Sequence, residues 1–318
     1  MTSFFGSIQG IGGGKIYPPK WYEIGYSGTP QNILDGFDYA KDIYDNWTAP
    51  ASMASLYRGD KDLKYFPNVD ITGYTNYSAM FQDSGIIFTE PLTLGDGSST
   101  VVNGQWLFKN SQIEDLEFDT ADPDQAINLQ DSFESCLNLK KIKTSSKISG
   151  SLQATFADCT QLKRFEGSPD LSGVTSMREA FRACSSLTYF PALNTGATTD
   201  FYRCFQNCTS LRSINNIDLS YATNLQQMFW NCSSLESLPF LTVSRATNLT
   251  NMFQGTGSNL ADDSRNNILT MCISAAAYTG TKTLAQLGFT SSMYSAASWQ
   301  ALNRYNDFVS AGWAIGYS

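Results

Sequence analysis

Apolar side chains recur along residues 129–255 with a period of about two dozen residues. In each period a Phe is followed three residues later by Cys and six residues later by Leu. The five Phe and Cys pairs are Phe133 and Cys136, Phe156 and Cys159, Phe181 and Cys184, Phe205 and Cys208, and Phe229 and Cys232. A fixed period of this length predicts a solenoid, in which each repeat buries its apolar face only against its neighbours.

The same period continues less regularly on both sides of this segment. Tyr57, Phe81 and Phe108 precede the regular repeats at spacings of 24 to 27 residues, and Phe253 follows them. We therefore predict about nine repeats over residues 51–262, of which the outer ones are atypical, as terminal repeats usually are.

The two halves of each repeat differ in their apolar spacing. The half after the Cys predicts a short strand, in which Leu187 and Phe190 point inward and Pro191 marks the strand end, where no further ladder donor is required. In the half before the Phe, Leu225 and Met228 follow the spacing of a single helical or 3₁₀ turn.

The motif Met/Ala-Phe-x-x-Cys-x-x-Leu-x-x-Leu/Phe-Pro resembles the BspA-like class of leucine-rich repeats, over residues 50–262. The resemblance implies an α/β leucine-rich-repeat solenoid with one short parallel strand per repeat, an irregular, 3₁₀ or helical convex side, and a small helical C-terminal cap. Members occur in surface adhesins of bacteria and in proteins of phages that infect gut bacteria. The resemblance therefore also implies a binding role without enzymatic activity.

Residues 1–50 do not fit the repeat. A glycine-rich start is followed by a segment dense in aromatic residues, which two interpretations explain. The segment is either a cap that covers the first repeat or an arm that docks onto a larger assembly. The candidate docking residues are Trp21, Tyr22, Phe37 and Trp47.

The tail has a different pattern from the repeats. Residues 283–289 predict a short helix ended by Gly288, and residues 295–309 predict a longer helix. We expect residues 263–318 to form a helical cap over the open end of the solenoid.

Composition excludes several classes of chemistry. The formal net charge is −8, and the chain has no long basic run, which argues against general nucleic-acid binding. It has no His, so catalytic Ser-His-Asp and Cys-His systems and His-containing metal sites are excluded. Five of the seven Cys follow the repeat, and no Cys-x-x-Cys pair occurs, so we expect a buried, reduced core with no metal and no cofactor. No stretch of 18 apolar residues predicts a membrane span.

The outward side of the predicted sheet is the candidate binding site. If the residues six and nine positions after the Phe point inward, those eight and ten positions after it point outward. These outward positions predict a patch that combines basic and tyrosine side chains on an acidic protein: Tyr65, Lys141, Lys143, Arg164 and Tyr189. The patch is either an ordinary solvated sheet face or a recognition surface for a glycan or an acidic polymer.

The first residues lack a basic segment before an apolar run, so we expect no export signal. This favours a non-enzymatic phage virion protein, either a decoration, fibre or tail-associated one. Its N-terminal arm would contact other virion proteins, and its solenoid would bind a host glycan or protein. The alternatives are a bacterial cell-surface adhesin and an intracellular leucine-rich-repeat scaffold. Exposed aromatic residues within 17–47 also favour self-association.

Overall fold

The computed structural model describes residue 43 and residues 45–67, 69–190, 194–215 and 217–316. Within these ranges the chain forms a parallel β-solenoid, and every pair of named strands is parallel. The predicted solenoid is therefore confirmed. Below, each coil is named after the residue at its ring position: Tyr57, Phe81, Phe108, Phe133, Phe156, Phe181, Phe205, Phe229 or Phe253.

The strands are short, because each coil crosses a sheet only briefly. In chain order they are β1 (Tyr65–Phe66), β2 (Phe88–Thr89), β3 (Leu92–Leu94), β4 (Val102–Asn103), β5 (Asp115–Thr120), β6 (Ala126–Asn128), β7 (Lys141–Lys143), β8 (Lys147–Ser151), β9 (Arg164–Glu166), β10 (Asp170–Ser176), β11 (Tyr189–Phe190) and β12 (Ser213–Ile214).

The strands form two sides of the solenoid. The front sheet consists of three pieces, β1–β2, β3–β5–β7–β9 and β11–β12. The rear sheet pairs β10, β8, β6 and β4 in that order. Isolated parallel bridges extend both sides into the later coils, for example Ser213 with Ser237 in front and Asn224 with Asn248 behind.

A third ladder, made of β-turns, lies between the rear and front strands of each coil. In the Phe205 coil, the amides of Cys204, Gln206 and Cys208 each donate to the carbonyl three residues earlier, at 3.1 Å. Two residues before and two after the ring, Arg203 and Asn207 have φ values of 54° and 62°. Positive φ at these positions interrupts any continuous helix. The predicted helical or 3₁₀ turn is thus a series of β-turns in the described coils.

The remaining amides of this turn ladder reach the next coil. Phe205 N–H donates to Met228 O at 2.9 Å, and Asn207 N–H donates to Trp230 O at 2.7 Å. The same direction holds in the other coils, for example from Phe133 to Thr155. Each coil therefore hydrogen-bonds its successor on the turn side as well as in the sheets.

The ring positions form one continuous aromatic stack. Adjacent ring centroids lie 4.9–5.9 Å apart with interplanar angles of 2–22°, from Tyr57 to Phe289. The ring positions Phe81 to Phe253 are fully or almost fully buried. The predicted aromatic core is confirmed, and Phe289 from the tail extends it by one ring.

A ladder of thiols runs beside the rings. Cys159 Sγ donates to Phe133 O at 3.0 Å, and Cys208 Sγ donates to Phe181 O at 3.1 Å. The same contact to the preceding coil is made by Cys136, Cys184 and Cys232. All seven Cys are buried and free, as predicted. The thiol combines small apolar volume with a weak donor, which suits a buried carbonyl.

The described part of the tail, up to residue 316, contains three helices: α1 (Asp262–Ser274), α2 (Ala296–Gln300) and α3 (Tyr305–Ser310). The sequence did not predict α1, because its first two turns are mainly polar. The predicted helix over 295–309 is wrong as a single element. It is divided into α2 and α3 at residues 301–304.

The predicted helix over residues 283–289 is also wrong. This segment adopts the turn conformation of a repeat and ends the turn ladder: Asn251 N–H donates to Gln286 O, and Phe253 N–H donates to Leu287 O, both at 2.8 Å. Its apolar spacing imitates a helix because the repeat turns themselves space apolar residues by three and four.

Phe205→Ala tests the aromatic stack. Phe205 lies between Phe181 and Phe229, with both centroid distances at 5.6 Å. Loss of a buried ring costs ~3–5 kcal/mol, so we expect a large fall in the urea midpoint. The control is Phe240→Ala, which removes a ring that is 51% exposed. Equal urea midpoints for the two variants would contradict the conclusion that the ring stack stabilises the fold.

The thiol ladder predicts loss of stability at alkaline pH. Burial raises the pKa of Cys136 from 9.0 to about 12, and burial also raises the pKa of Cys159 and Cys184. Above pH 9 the unfolded thiols release protons that the folded thiols retain, so the free energy of unfolding falls as pH rises from 9 towards 12. Urea unfolding at pH 7 to 11 measures this slope. Cys136→Ala should make the slope shallower, and an unchanged slope would count against this pKa assignment.

Candidate binding face on the front sheet

Three of the predicted outward residues lie together at the centre of the front sheet. In the register of β5, β7 and β9, Lys141 lies between Asp115 and Arg164, and Lys143 lies between Glu117 and Glu166. Inward residues separate these two rows, and Ile142 between the two lysines is fully buried. The alternation that the sequence predicted therefore places Lys141, Lys143 and Arg164 on one surface.

This surface is charge-balanced rather than basic. Lys143 Nζ lies 2.6 Å from Glu117 Oε1, and their hydrogen bond raises the pKa of Lys143. Lys140 Nζ lies 2.8 Å from Glu114 Oε2. Arg164 lies 3.7 Å from Glu166 Oε1. The prediction of a basic patch is therefore corrected, because it omitted the acidic strand β5.

The acidic residues of β5 were missed because the repeat frame shifts in the Phe108 coil. Asp115 and Glu117 occupy the outward rows one position earlier in the count from the ring than Lys141 and Lys143 do. The signal that identifies them is the alternation of β5 itself, in which Leu116 and Phe118 are buried. Alternation within the strand locates the outward side more reliably than a fixed distance from the ring.

Tyr65 is not part of the exposed surface. Its side chain is only 3% exposed, and its hydroxyl donates to Glu90 Oε1 at 2.7 Å. The buried ring therefore offers no face to a ligand. The prediction of Tyr65 as an outward binding residue is corrected for this reason.

Tyr189 lies on the exposed surface, as predicted, and is 45% exposed. Its strand neighbour in the next coil is Ser213, which is bridged in turn to Ser237. Asn215 Nδ2 donates a hydrogen bond to the Tyr189 hydroxyl. In these coils the front sheet thus carries polar but uncharged outward side chains.

Of the candidate docking residues, Trp21, Tyr22 and Phe37 lie outside the described residues. Trp47 packs edge-on against Phe66, with ring centroids 6.2 Å apart, and its Nε1 donates to Asp70 O at 3.1 Å. It therefore covers part of the first coil. The role of the four residues in docking remains a prediction.

Two family models match the chain. One, described as a BspA type leucine-rich repeat region with six copies, matches residues 96–188. The other, described as a Mycoplasma protein of unknown function, DUF285, matches residues 150–266. This chain is a BspA-like leucine-rich repeat protein. No curated protein and no solved structure matches it significantly.

The front face of this BspA-like solenoid varies more in chemistry from coil to coil than the rear sheet does. Along the rear sheet, one position repeats Asn, Ser or Asp, because its side-chain oxygen accepts the amide two residues later, as Asn224 does from Gln226. The corresponding front position changes in chemistry from coil to coil: Asp115, Lys141, Arg164, Tyr189, Ser213 and Ser237.

We also searched the described part of the BspA-like chain for metal sites, membrane-spanning helices and cavities. No group of His, Cys, Asp or Glu there is arranged to hold a metal ion, and no helix there is long and apolar enough to cross a membrane. A cavity of about 280 Å³ lies at the first two coils, between the loop after β1 and the loop before β3, and its lining includes Asp70 and Glu90.

Two Tyr→Phe variants test the corrected positions. Tyr65→Phe removes the hydroxyl that donates a hydrogen bond to Glu90. The loss of a hydrogen bond of this kind costs ~0.5–1.5 kcal/mol. We expect a lower urea midpoint for Tyr65→Phe and no change for Tyr189→Phe, whose hydroxyl is at the surface. A midpoint that falls only for Tyr189→Phe would reverse the assignment.

Proposed function

We propose that this protein is a non-enzymatic binding protein whose front-sheet face recognises a partner on the surface of a cell or a virus particle. The BspA-type repeats support a protein-binding or surface-binding role. The observation that carries the proposal is the coil-to-coil change of outward chemistry from Asp115 through Lys141 to Tyr189 and Ser213 on a core that repeats the same residues.

Within each coil, the core residues are constrained by packing, whereas the outward front residues are free to vary. The ring and thiol positions are the same in most coils because each must fit its copy above and below. The outward front positions carry no such packing requirement, since they do not contact a copy across the core. Their variation therefore supplies a distinct arrangement of charges, hydroxyls and rings on a rigid support.

The state of the reactive groups supports binding over catalysis. Every thiol in the chain is buried, and burial raises the pKa of Cys184 and Cys232, so that these thiols stay protonated and poorly nucleophilic. Glu117 on the front face and Glu114 just before β5 form ion pairs with lysines instead of facing each other across a cleft.

We further propose that the protein acts on a phage virion, as a decoration, fibre or tail-associated component whose residues 1–50 contact other virion proteins. The bacterial cell surface is the second candidate location, and the BspA-type repeats favour it. Mass spectrometry of purified virions and of bacterial surface fractions separates the two. Enrichment in the surface fractions alone would reject the virion.

A triple variant tests the front face. Lys141→Ala, Arg164→Ala and Tyr189→Ala together remove two cations and one exposed ring, and we expect attachment to a panel of intact bacterial cells to fall at least tenfold. The matched control is Lys147→Ala, Tyr221→Ala and Arg245→Ala, which removes one Lys, one Tyr and one Arg away from this face. Circular dichroism verifies that both variants fold. Undiminished attachment of the front variant would refute the proposal.

A further inference from the structure

The cavity at the first two coils is large enough for a small organic molecule. Its volume is about 280 Å³, and its lining comes from residues 67 and 69–72, which follow β1, and residues 90–93, which follow β2. For comparison, an apolar cavity of ~150 Å³ holds benzene. Lys141, Arg164 and Tyr189 of the front face are not among the lining residues, so the cavity is separate from the proposed binding face.

The cavity has an apolar floor and a polar rim. Three of its apolar lining residues, Pro67, Ile71 and Leu92, are buried. Asp70 is exposed, and Glu90 is half-buried. Ligand sites commonly combine apolar walls with a few polar groups that orient the ligand. This lining therefore suits a molecule whose apolar part lies on the floor and whose polar group lies at the rim.

Two carboxylates set the charge of the rim, and no Lys or Arg is among the described residues that line the cavity. Asp70 Oδ1 accepts the backbone amide of Thr72 at 2.9 Å and its hydroxyl at 2.7 Å, and these hydrogen bonds lower the pKa of Asp70. Glu90 Oε1 accepts the Tyr65 hydroxyl at 2.7 Å. Among the described residues, no donor bonds to Asp70 Oδ2 or Glu90 Oε2.

We infer that this cavity binds a small primary amine. Its ammonium group donates to the open carboxylate oxygens of Asp70 and Glu90, and its apolar body packs against Pro67, Ile71 and Leu92. An alkylammonium group is protonated at neutral pH and carries three N–H donors, so it can serve both carboxylates at once. Hydrogen bonds between charged partners are the stronger kind, and here they replace water on two acceptors.

The lining discriminates against ligands of other charge. An acid of the same shape is repelled by both carboxylates. An alcohol of the same shape brings one O–H donor and no charge, so it leaves the carboxylates without a counterion. A quaternary ammonium has no N–H donor and is recognised by aromatic rings, which the described lining residues do not supply. A primary amine is therefore the ligand class that the lining fits.

Isothermal titration calorimetry of the full chain with hexylamine, phenethylamine and cadaverine tests this site. We expect at least one of these amines to bind, and the corresponding alcohol to bind at least about tenfold more weakly, because it lacks the charge-assisted hydrogen bonds. Asp70→Asn with Glu90→Gln should weaken amine binding by a similar factor. Both amides keep an oxygen that accepts from Thr72 and Tyr65, so we expect an unchanged thermal midpoint.

A matched control separates this site from general attraction of cations to an acidic protein. Asp124→Asn with Glu236→Gln removes the same charge outside the cavity lining, and amine binding should be unchanged. The front triple variant should also bind the amine normally, so the cavity and the front face can fail independently.

A second variant tests the cavity without altering its charge. Val69→Trp places a bulky ring at the half-buried wall and should abolish amine binding, whereas Val309→Trp adds the same ring at an exposed position away from the cavity. The inference is overturned if none of the three amines binds, if the alcohol binds as tightly as the amine, or if Val69→Trp binds like Val309→Trp. Equal weakening by the two carboxylate pairs would also overturn it.

Discussion

The stack of aromatic rings is the contact on which the rest of the structure depends. Ten rings follow one another from Tyr57 to Phe289 with centroid distances of 4.9–5.9 Å. A ring stack at this spacing is compatible with the separation of hydrogen-bonded strands. It therefore fixes the position of each coil on its neighbour, and the register of the sheets follows. The same packing determines which outward residues of the front face are neighbours.

Buried carbonyls next to the rings explain the recurring Cys. The carbonyl of Phe133 accepts both the amide of Cys136, at 3.0 Å, and the thiol of Cys159. Hydroxyls replace the thiol at the ends of the ladder, where Ser84 and Thr256 donate to the ring carbonyls of their own coils. Each replacement keeps a small donor at the position, so hydrogen bonding and volume together select the residue.

The features that recur in every repeat could be predicted from the sequence, but those that lie where the repeat frame shifts could not. The period of rings and thiols specified the solenoid, the buried Cys and the outward position of Lys141. The frame shift in the Phe108 coil hid the acidic partners on β5, and a count from the ring does not reveal that Tyr65 is buried with its hydroxyl bonded to Glu90 of the next coil. Turns with positive φ residues also space apolar side chains as a helix does, so the segment after Thr283 was assigned to the wrong element.

The one-way direction of the turn ladder gives the solenoid an electrical polarity. Parallel strands exchange hydrogen bonds in both directions, but every turn amide that leaves its own coil points towards the following coil, as Phe205 N–H does towards Met228 O. The dipoles of these inter-coil hydrogen bonds therefore add, with the positive end at the last coil, the reverse of an α-helix. The carbonyls of Gln286 and Leu287 meet that end. A replacement for the C-terminal segment must thus supply acceptors as well as apolar cover.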